Sequence, residues 1–333
     1  MTTLAGAVKS APKSSYLISW KPIGKLQQTV ANCIERRGLG LHSGKISTVR
    51  IWPELAGEGR YFDFKSNVIR ASIDYVKETP LCTTLFKDGY SIRTIEHLLS
   101  ALEATGVDNC RIEIESCDSN DPSVEVPIFD GSAREWVEGI EEVGLKVATD
   151  SGGNSCKKLA PFLSEPVHVW RNDSFVAAFP YSQVRITYGI DFSQVPTIGC
   201  QWFSSTLTDD HVYVKQIASS RTFCVYEEVE KLRSAGLISG GSLENAIVCS
   251  ATTGWLNPPL RFSDEPCRHK ALDLIGDISL FAEAGSQGLP VAHIISYKGG
   301  HALHASFVRH LKEKQQMKND DDDGDDDVSR EAS

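Results

Sequence analysis

The stretch TIEHLLSALEATGVDNCRIEIE, residues 94–115, predicts a helix followed directly by a strand. Between Thr94 and Gly106 the apolar residues recur at helical spacing, with threonine suited to cap the start and glycine to end the helix. In residues 110–115 apolar and charged residues alternate, which is typical of a strand with one buried face. A helix next to a half-buried strand indicates a layered structure in which helices cover a sheet.

A second stretch, DEPCRHKALDLIGDISLFAEAG at residues 264–285, repeats this arrangement in the second half of the chain. Its apolar spacing predicts a helix that ends at Gly285. The run VAHIISY, residues 291–297, predicts a strand, and a glycine pair then turns the chain into a last helix beginning near His301. Strands and helices mixed in both halves predict the α+β class.

Length and composition predict two domains with a segment at either end. The 333 residues are long for a single core, since a domain usually has about 150 residues. The Ser-, Gly- and Asn-rich residues 148–158 predict a linker between a first domain at 27–147 and a second at 159–318. Residues 1–26 contain lysines but no acid, a composition typical of an organelle transit peptide or a disordered leader. The aspartate-rich residues 319–333 predict a disordered tail.

Charge, cysteine usage and hydropathy exclude several classes of protein. The net charge is −10 and no block of lysine and arginine is present, which argues against a nucleic-acid partner. The nine cysteines are scattered and odd in number, so the sequence predicts a reducing compartment without a disulfide framework. No apolar run approaches the roughly 18 residues that a membrane span requires.

Three polar residues of the second-half helix indicate a metal site. His269, Asp273 and Asp277 follow one another at i, i+4 spacing, so they project from one ridge beside the apolar stripe. A histidine and a carboxylate one turn apart can bind a single Zn²⁺ ion at about 2.0 to 2.2 Å. Exposed pairs of this kind are common on helices, so the spacing alone leaves a surface role open.

Two further segments supply groups suited to the same chemistry. Glu96 and His97 are consecutive in the first helix, and their side chains therefore point about 100° apart. This allows His97 to face a metal while Glu96 reaches a bound water. His301 follows the glycine pair at a strand-to-helix junction, where a histidine is exposed and titratable. A core histidine at position 97 and a surface histidine at position 301 are the alternatives.

Seven segments in chain order carry a resemblance to a known family. They are GLGLHSGK (38–45), RTIEHLLSALEATGVDN (93–109), VEVPIFDGSA (124–133), SSRTFCVYEEVE (219–230), GGSLENAIV (240–248), RFSDEPCRHKALDLIGD (261–277) and YKGGHALH (297–304). Together they resemble the UDP-3-O-acyl-N-acetylglucosamine deacetylases, the zinc amidases of lipid A biosynthesis, over residues 27–311. The fuller agreement in SRTFCVYEEVE and PVAHIISYKGGHALH is with the plant members, which are mitochondrial. The resemblance therefore favours a mitochondrial transit peptide.

The resemblance implies two similar two-layer α/β sandwiches packed face to face, with the metal site in the cleft between them. It also implies roles for single residues: zinc ligands His97, His269 and Asp273, general base Glu96, general acid His301 with its carboxylate partner Asp277, and the oxyanion-binding hydroxyl of Thr222. Two imidazoles and one carboxylate leave zinc an open coordination position, as catalytic sites require. The implied reaction releases acetate from UDP-3-O-acyl-N-acetylglucosamine, the committed step of lipid A biosynthesis.

An acylated UDP-sugar makes two demands on the site. Its diphosphate requires cations, for which Lys270 and Lys298 are the candidates, while a surface role for both lysines stays open. Its acyl chain requires an apolar passage. The resemblance gives that passage to an inserted strand-helix-strand unit at about 223–250, with Phe223 and Leu81 as contacts, although a plain core explains its apolar residues nearly as well.

Other assignments remain open at this point. A zinc amidase acting on another acylated amine needs the same residues, and Fe²⁺ can occupy a similar site. A catalytically idle protein that binds acylated nucleotide sugars is the remaining alternative, although the presence of both Glu96 and His301 argues against it. We expect a monomer.

Overall fold

The computed structural model describes residues 17–77, 81–118 and 120–316. Runs of strands are followed by helices in both halves of the described chain, and the predicted α+β class is confirmed. The predicted acidic tail and residues 1–16 of the predicted leader lie outside the described residues. No helix in the described part of the chain combines the length and apolar character needed to cross a membrane.

The first half contains two α-helices, α1 (Glu96–Thr105) and α2 (Arg134–Val143). Its strands are β1 (Ile18–Leu26), β2 (Gln28–Val30), β3 (Ile34–Leu39), β4 (Ile46–Pro53), β5 (Arg60–Phe64), β6 (Asn67–Arg70), β7 (Val76–Lys77), β8 (Thr84–Lys87), β9 (Tyr90–Arg93), β10 (Cys110–Ser116), β11 (Ser123–Glu125) and β12 (Leu145–Val147).

The second half begins with β13 (Lys157–Leu163). Its other strands are β14 (Val167–Arg171), β15 (Ser174–Pro180), β16 (Arg185–Phe192), β17 (Gly199–Thr206), β18 (Phe223–Val225), β19 (Ile247–Ser250), β20 (Gly254–Trp255) and β21 (Ala292–Tyr297). Its α-helices are α3 (Asp210–Tyr213), α4 (Tyr226–Ser234), α5 (Glu265–Ile278) and α6 (His301–Gln316).

Both halves contain a five-stranded sheet built to the same plan. The order is β3-β4-β10-β5-β6 in the first half and β14-β15-β21-β16-β17 in the second. The central strands β10 and β21 each run antiparallel to one neighbour and parallel to the other. In each half two hairpins precede a helix, the central strand and a second helix. The predicted pair of similar α/β layers is therefore confirmed.

Helices α1 and α5, which occupy equivalent places in the two halves, pack against each other. Their contact depends on Gly276 of α5, because a Cβ atom there would lie 2.1 Å from the carbonyl oxygen of Glu96. Almost every residue of α1 is buried, as expected for a helix enclosed on all sides. The close approach brings the start of α1 against the middle of α5, where the predicted metal ligands lie.

Three predicted boundaries differ from the structure. The first helix is capped at Ile95, and Thr94 has a positive φ and donates its hydroxyl to Glu125 instead. The helix predicted to end at Gly285 ends at Ile278, where the chain tightens into a 3-10 turn. The predicted leader extends too far along the chain, because Ile18–Leu26 forms β1 and pairs with β13 across the two halves.

Two smaller sheets lie next to α1 and α5, the helices that carry the predicted site residues. A four-stranded sheet with the order β11-β9-β8-β7 leads directly into α1. Residues 223–250 run through β18, α4 and β19, and β20 completes a small sheet with the order β18-β19-β20. Lys270 of α5 lines the same cavity as residues of this unit, so the unit lies next to the helix that carries the predicted ligands.

Candidate active site

The structure brings His97, His269 and Asp273 together, although they come from different halves of the chain. Their ligand atoms all lie within 4.8 Å of one another, and all three residues are buried. The Nε2 atoms of His97 and His269 are 3.5 and 3.3 Å from Oδ1 of Asp273. Donors at about 2.0 to 2.1 Å from a tetrahedral Zn²⁺ ion are about 3.3 to 3.4 Å apart. The observed spacing therefore fits a single metal ion.

Hydrogen bonds around the cluster leave its inner atoms available to a cation. The ring of His269 donates from Nδ1 to the carbonyl oxygen of Ser220 at 3.0 Å, which directs the Nε2 lone pair at the cluster. Burial lowers the pKa of His269 to about 3, so that the ring is neutral. Oδ1 of Asp273 is buried and has no hydrogen-bond partner among the described residues. A buried carboxylate oxygen in this condition favours a metal ligand.

Glu96 lies on the flank of this cluster, one residue before His97. Its Oε2 accepts the backbone N–H of Thr83 at 3.1 Å, and its Oε1 lies 3.8 Å from Nε2 of His301. Burial raises the pKa of Glu96 well above the usual value for a carboxyl group. A carboxylate with a raised pKa is suited to accept a proton.

His301 faces the same space from the first turn of α6. Its Nδ1 donates to Oδ2 of Asp277 at 2.8 Å, and its Nε2 lies 4.0 Å from Oδ2 of Asp273. Burial alone would lower the pKa of His301, but the negative charges of Asp277 and Glu96 raise it to about 10. The imidazole is therefore charged near neutral pH and can donate a proton from Nε2.

Two residues of this network were not singled out from the sequence. Thr83 donates its hydroxyl to Oδ1 of Asp277 at 2.5 Å, and its own backbone N–H holds Glu96. His304, which the sequence analysis does not single out, donates from Nδ1 to Oδ2 of Asp277 at 2.8 Å. The available signal for His304 was its position one helical turn after His301. Nothing local to Thr83 indicates a partner 194 residues away.

An apolar cavity of about 510 Å³ extends from the site. Its lining includes the side chains of Leu81, Thr222, Phe223, Leu232, Ile238 and Lys270. Lys270 donates to Oδ2 of Asp273 at 2.7 Å, so the cavity reaches the cluster of candidate metal ligands. Phe223 packs edge-on against Phe192 with ring centroids 5.4 Å apart.

The structure does not bring Lys298 to this cavity. Its ammonium group lies 2.5 Å from a carboxylate oxygen of Asp173 and 3.7 Å from one of Asp191. The residue before the glycine pair is thus held at the surface by acidic neighbours. Of the two lysines predicted to bind a diphosphate, only Lys270 lines the cavity.

Comparison with known proteins adds an independent line of evidence. Residues 27–313 match the model of the family described as UDP-3-O-acyl N-acetylglycosamine deacetylase. The chain is 62% identical over 302 residues to the probable UDP-3-O-acyl-N-acetylglucosamine deacetylase 1, mitochondrial, of Arabidopsis thaliana, covering 91% of this chain and 93% of that protein. It is 45% identical over 293 residues to the UDP-3-O-acyl-N-acetylglucosamine deacetylase of Trichormus variabilis, covering 86% of this chain and 98% of that protein.

Proposed function

The chain belongs to the UDP-3-O-acyl-N-acetylglucosamine deacetylase family, and from this membership we propose that it is a zinc-dependent amidohydrolase. It hydrolyses the N-acetyl group of UDP-3-O-acyl-N-acetylglucosamine and yields acetate and UDP-3-O-acyl-glucosamine, the committed step of lipid A biosynthesis. The observation that carries the proposal is the convergence of His97, His269 and Asp273 in one buried cluster, with Glu96 and His301 on its flank.

The donor set supports zinc held by His97, His269 and Asp273. Two neutral imidazoles and a carboxylate are typical of catalytic zinc sites, which keep one position open for water or substrate. When bound, Zn²⁺ would lower the pKa of a water molecule from 15.7 to about 7 and polarise the acetamide carbonyl. Because Fe²⁺ also accepts nitrogen and oxygen donors, elemental analysis of the purified protein tests the choice of metal.

Glu96 acts as the general base. It is buried on the flank of the metal cluster, and Thr83 holds one of its oxygens. The other oxygen is directed toward the space shared with His301. Glu96 takes a proton from the attacking water while the water oxygen bonds to the acetamide carbon. The raised pKa of Glu96, caused by burial, increases its strength as a proton acceptor.

His301 acts as the general acid. The C–N bond of an amide breaks only when the nitrogen leaves as an amine, because an amide anion is a very poor leaving group. The His301 imidazolium supplies the required proton from Nε2, and Asp277 on the other ring nitrogen keeps the imidazolium stable. The acetyl carbon thus gains the water oxygen, the sugar nitrogen gains a proton, and acetate leaves.

The cavity supports an acylated substrate. Its apolar walls, contributed largely by residues 223–250 and by Leu81, suit a fatty acyl chain. Lys270 at the inner end provides a positive charge for the polar part of the substrate, and the Thr222 hydroxyl donates to the oxygen that develops negative charge. Phe223 contacts the first part of the acyl chain. Lys298 is left out of the proposal, because its ammonium group is paired with Asp173 and lies close to Asp191.

One assay separates this proposal from its alternatives. Purified protein with one equivalent of Zn²⁺ is incubated with UDP-3-O-acyl-N-acetylglucosamine, with UDP-N-acetylglucosamine and with an N-acetyl-lysine peptide, and acetate is measured. We expect turnover of the acylated nucleotide sugar alone. Faster turnover of another acetylated amine assigns a different amidase, and tight binding without acetate release assigns an idle binding protein.

We also propose that the protein acts as a monomer in mitochondria. The Arabidopsis thaliana relative has "mitochondrial" in its name, and residues 1–17, which precede β1, contain lysines without acids. Fusing these residues to a fluorescent protein should direct it to mitochondria, and cytosolic fluorescence would contradict the assignment. Light scattering coupled to size exclusion tests the oligomeric state against the mass of 36.5 kDa.

A further inference from the structure

A buried histidine lies directly behind the His301–Asp277 pair. His304 is on the first turn of α6, one helical turn after His301, and its side chain has no exposed surface. Nδ1 of His304 and Nδ1 of His301 are each 2.8 Å from the same carboxylate oxygen, Oδ2 of Asp277. The two rings stand nearly perpendicular, with centroids 6.2 Å apart. Asp277 therefore connects two imidazoles, of which only His301 faces the reaction space.

The hydrogen bonds around His304 have a single consistent direction. An ionised carboxylate only accepts, so His304 must donate from Nδ1. Burial lowers the pKa of His304 and keeps the ring neutral, which leaves Nε2 as an acceptor. The hydroxyl of Tyr188 is 3.2 Å from that atom and fully buried, and burial raises its pKa, so it remains protonated and donates. The Tyr188 hydroxyl thus donates to Nε2 of His304, and Nδ1 of His304 donates to Asp277.

The backbone at Gly299 leaves room for the hydrogen-bonded groups of Tyr188 and His304. A Cβ atom on Gly299 would lie 2.4 Å from Oγ of Ser296, 2.9 Å from Nε2 of His304 and 2.9 Å from the hydroxyl of Tyr188. Only glycine at position 299 lets these three polar groups meet. On the opposite side, Thr83 occupies Oδ1 of Asp277. Donors on both oxygens thus prevent the carboxylate from rotating.

We propose that His304 is a positioning residue for the deacetylation, and this inference rests on the function proposed above. By donating to Oδ2 of Asp277 from behind, His304 fixes the carboxylate so that Asp277 holds the His301 ring with Nε2 facing Glu96. Without His304 the carboxylate loses one of its three donors and gains freedom to turn. His301 then spends less time in the orientation that protonates the leaving nitrogen.

Substitutions at position 304 separate positioning from plain packing. His304→Leu replaces the imidazole by an apolar side chain of similar size and so removes the N–H. We expect kcat to fall about 10- to 100-fold with unchanged KM and zinc content. His304→Asn should restore most of kcat, because an asparagine amide donates from about the place of Nδ1. His310→Leu, later on the same helix and partly exposed, is the matched control and should behave as the wild type.

A double-mutant cycle identifies the route of the effect. In a His301→Ala background the His304→Leu change should cost nothing further, because the group that it positions is gone. A wild-type kcat in His304→Leu, equal losses in the leucine and asparagine variants, or a full additional loss in the His301→Ala background would each overturn the proposal.

A readout that needs no turnover distinguishes failure of this inference from failure of the proposed function. In ¹⁵N-histidine NMR spectra of the whole protein, we expect His304 as the neutral tautomer with its proton on Nδ1. The Nδ1 proton of His301 should exchange with water faster in His304→Leu than in the wild type. The opposite tautomer or an unchanged exchange rate contradicts the positioning role, whereas normal spectra from a protein without deacetylase activity contradict only the reaction.

Discussion

Replacing Glu96 by glutamine tests the chemistry with little change to the structure. The two side chains have the same shape, and the amide oxygen can still accept the backbone N–H of Thr83, which lies 3.1 Å from Glu96. The substitution removes the proposed proton acceptor, while the three proposed metal ligands stay in place. We therefore expect a folded protein with normal metal content and a large loss of kcat.

The surroundings of Glu96 set the size of that loss. A positioned general base contributes about 10²- to 10⁴-fold, which is about 2.7 to 5.4 kcal/mol at 1.36 kcal/mol per tenfold change in rate. Neither nearby carboxylate can replace it. Asp273 is one of the proposed metal ligands and accepts from Lys270, and Asp277 already accepts from Thr83, His301 and His304. The loss should thus fall in the upper part of the range, at about 10³-fold or more.

The assay is acetate release from UDP-3-O-acyl-N-acetylglucosamine, with metal content and far-UV circular dichroism measured on the same sample. Glu141→Gln, on the exposed face of α2, is the matched control and should keep the wild-type rate. If Glu96→Gln with a full complement of metal retains more than about a tenth of the wild-type kcat, well short of a general-base loss, Glu96 is not the base.

Four other outcomes follow from the structure. Burial alone would lower the pKa of His301, but the Asp277 charge raises it to about 10. Activity that needs charged His301 is therefore kept at neutral pH and lost as the pH rises through this value. Asp277→Asn removes the charge and should move the alkaline limb of the kcat/KM profile to lower pH. Removing the metal with a chelator should abolish activity until Zn²⁺ is restored, and it should lower the melting temperature, since a ligand at 100 times its Kd stabilises by about 2.7 kcal/mol. Leu232→Trp should narrow the apolar cavity and raise KM at least about tenfold for long acyl chains but not for short ones, as measured with a chain-length series. Glu103→Ala leaves the buried Arg60 charge without its partner and should lower the free energy of unfolding by about 3 to 5 kcal/mol in a denaturant titration, where an unchanged midpoint would contradict the role of this pair.

Much of the fold could be predicted because its signals are local. The helix within residues 94–106 and the strand that follows it are visible in the spacing of apolar residues, and both are confirmed. The start of the helix was placed wrongly because the Thr94 hydroxyl bonds to Glu125 on a neighbouring strand, 31 residues away. Strand β1 was missed for a similar reason. Its partner β13 lies in the other half of the chain, and pairing rather than composition makes residues 18–26 a strand.

The candidate site shows the same division between local and distant signals. The ridge of His269, Asp273 and Asp277 is visible in the sequence because a single helix carries it. The resemblance identified His301 as one partner of Asp277, but two further partners were missed, because Thr83 comes from the first half and His304 from a helix formed after another strand. Lys298 shows the converse. Its position next to the glycine pair suggested a contact with the diphosphate, but the folded chain places Lys298 beside Asp173 and Asp191.

The repeated plan of the two halves explains why the chemistry lies where it does. Helices α1 and α5 are equivalent elements, and each contributes to a cluster that neither half could build alone. Gly276 sets the contact at the start of α1, and Glu103 near its end accepts the backbone N–H groups of Gly288 and Leu289 from the second half. Because α1 is fixed at both ends, His97 cannot drift from His269 and Asp273 unless the halves separate. The packing between the halves therefore fixes the geometry of the proposed metal site.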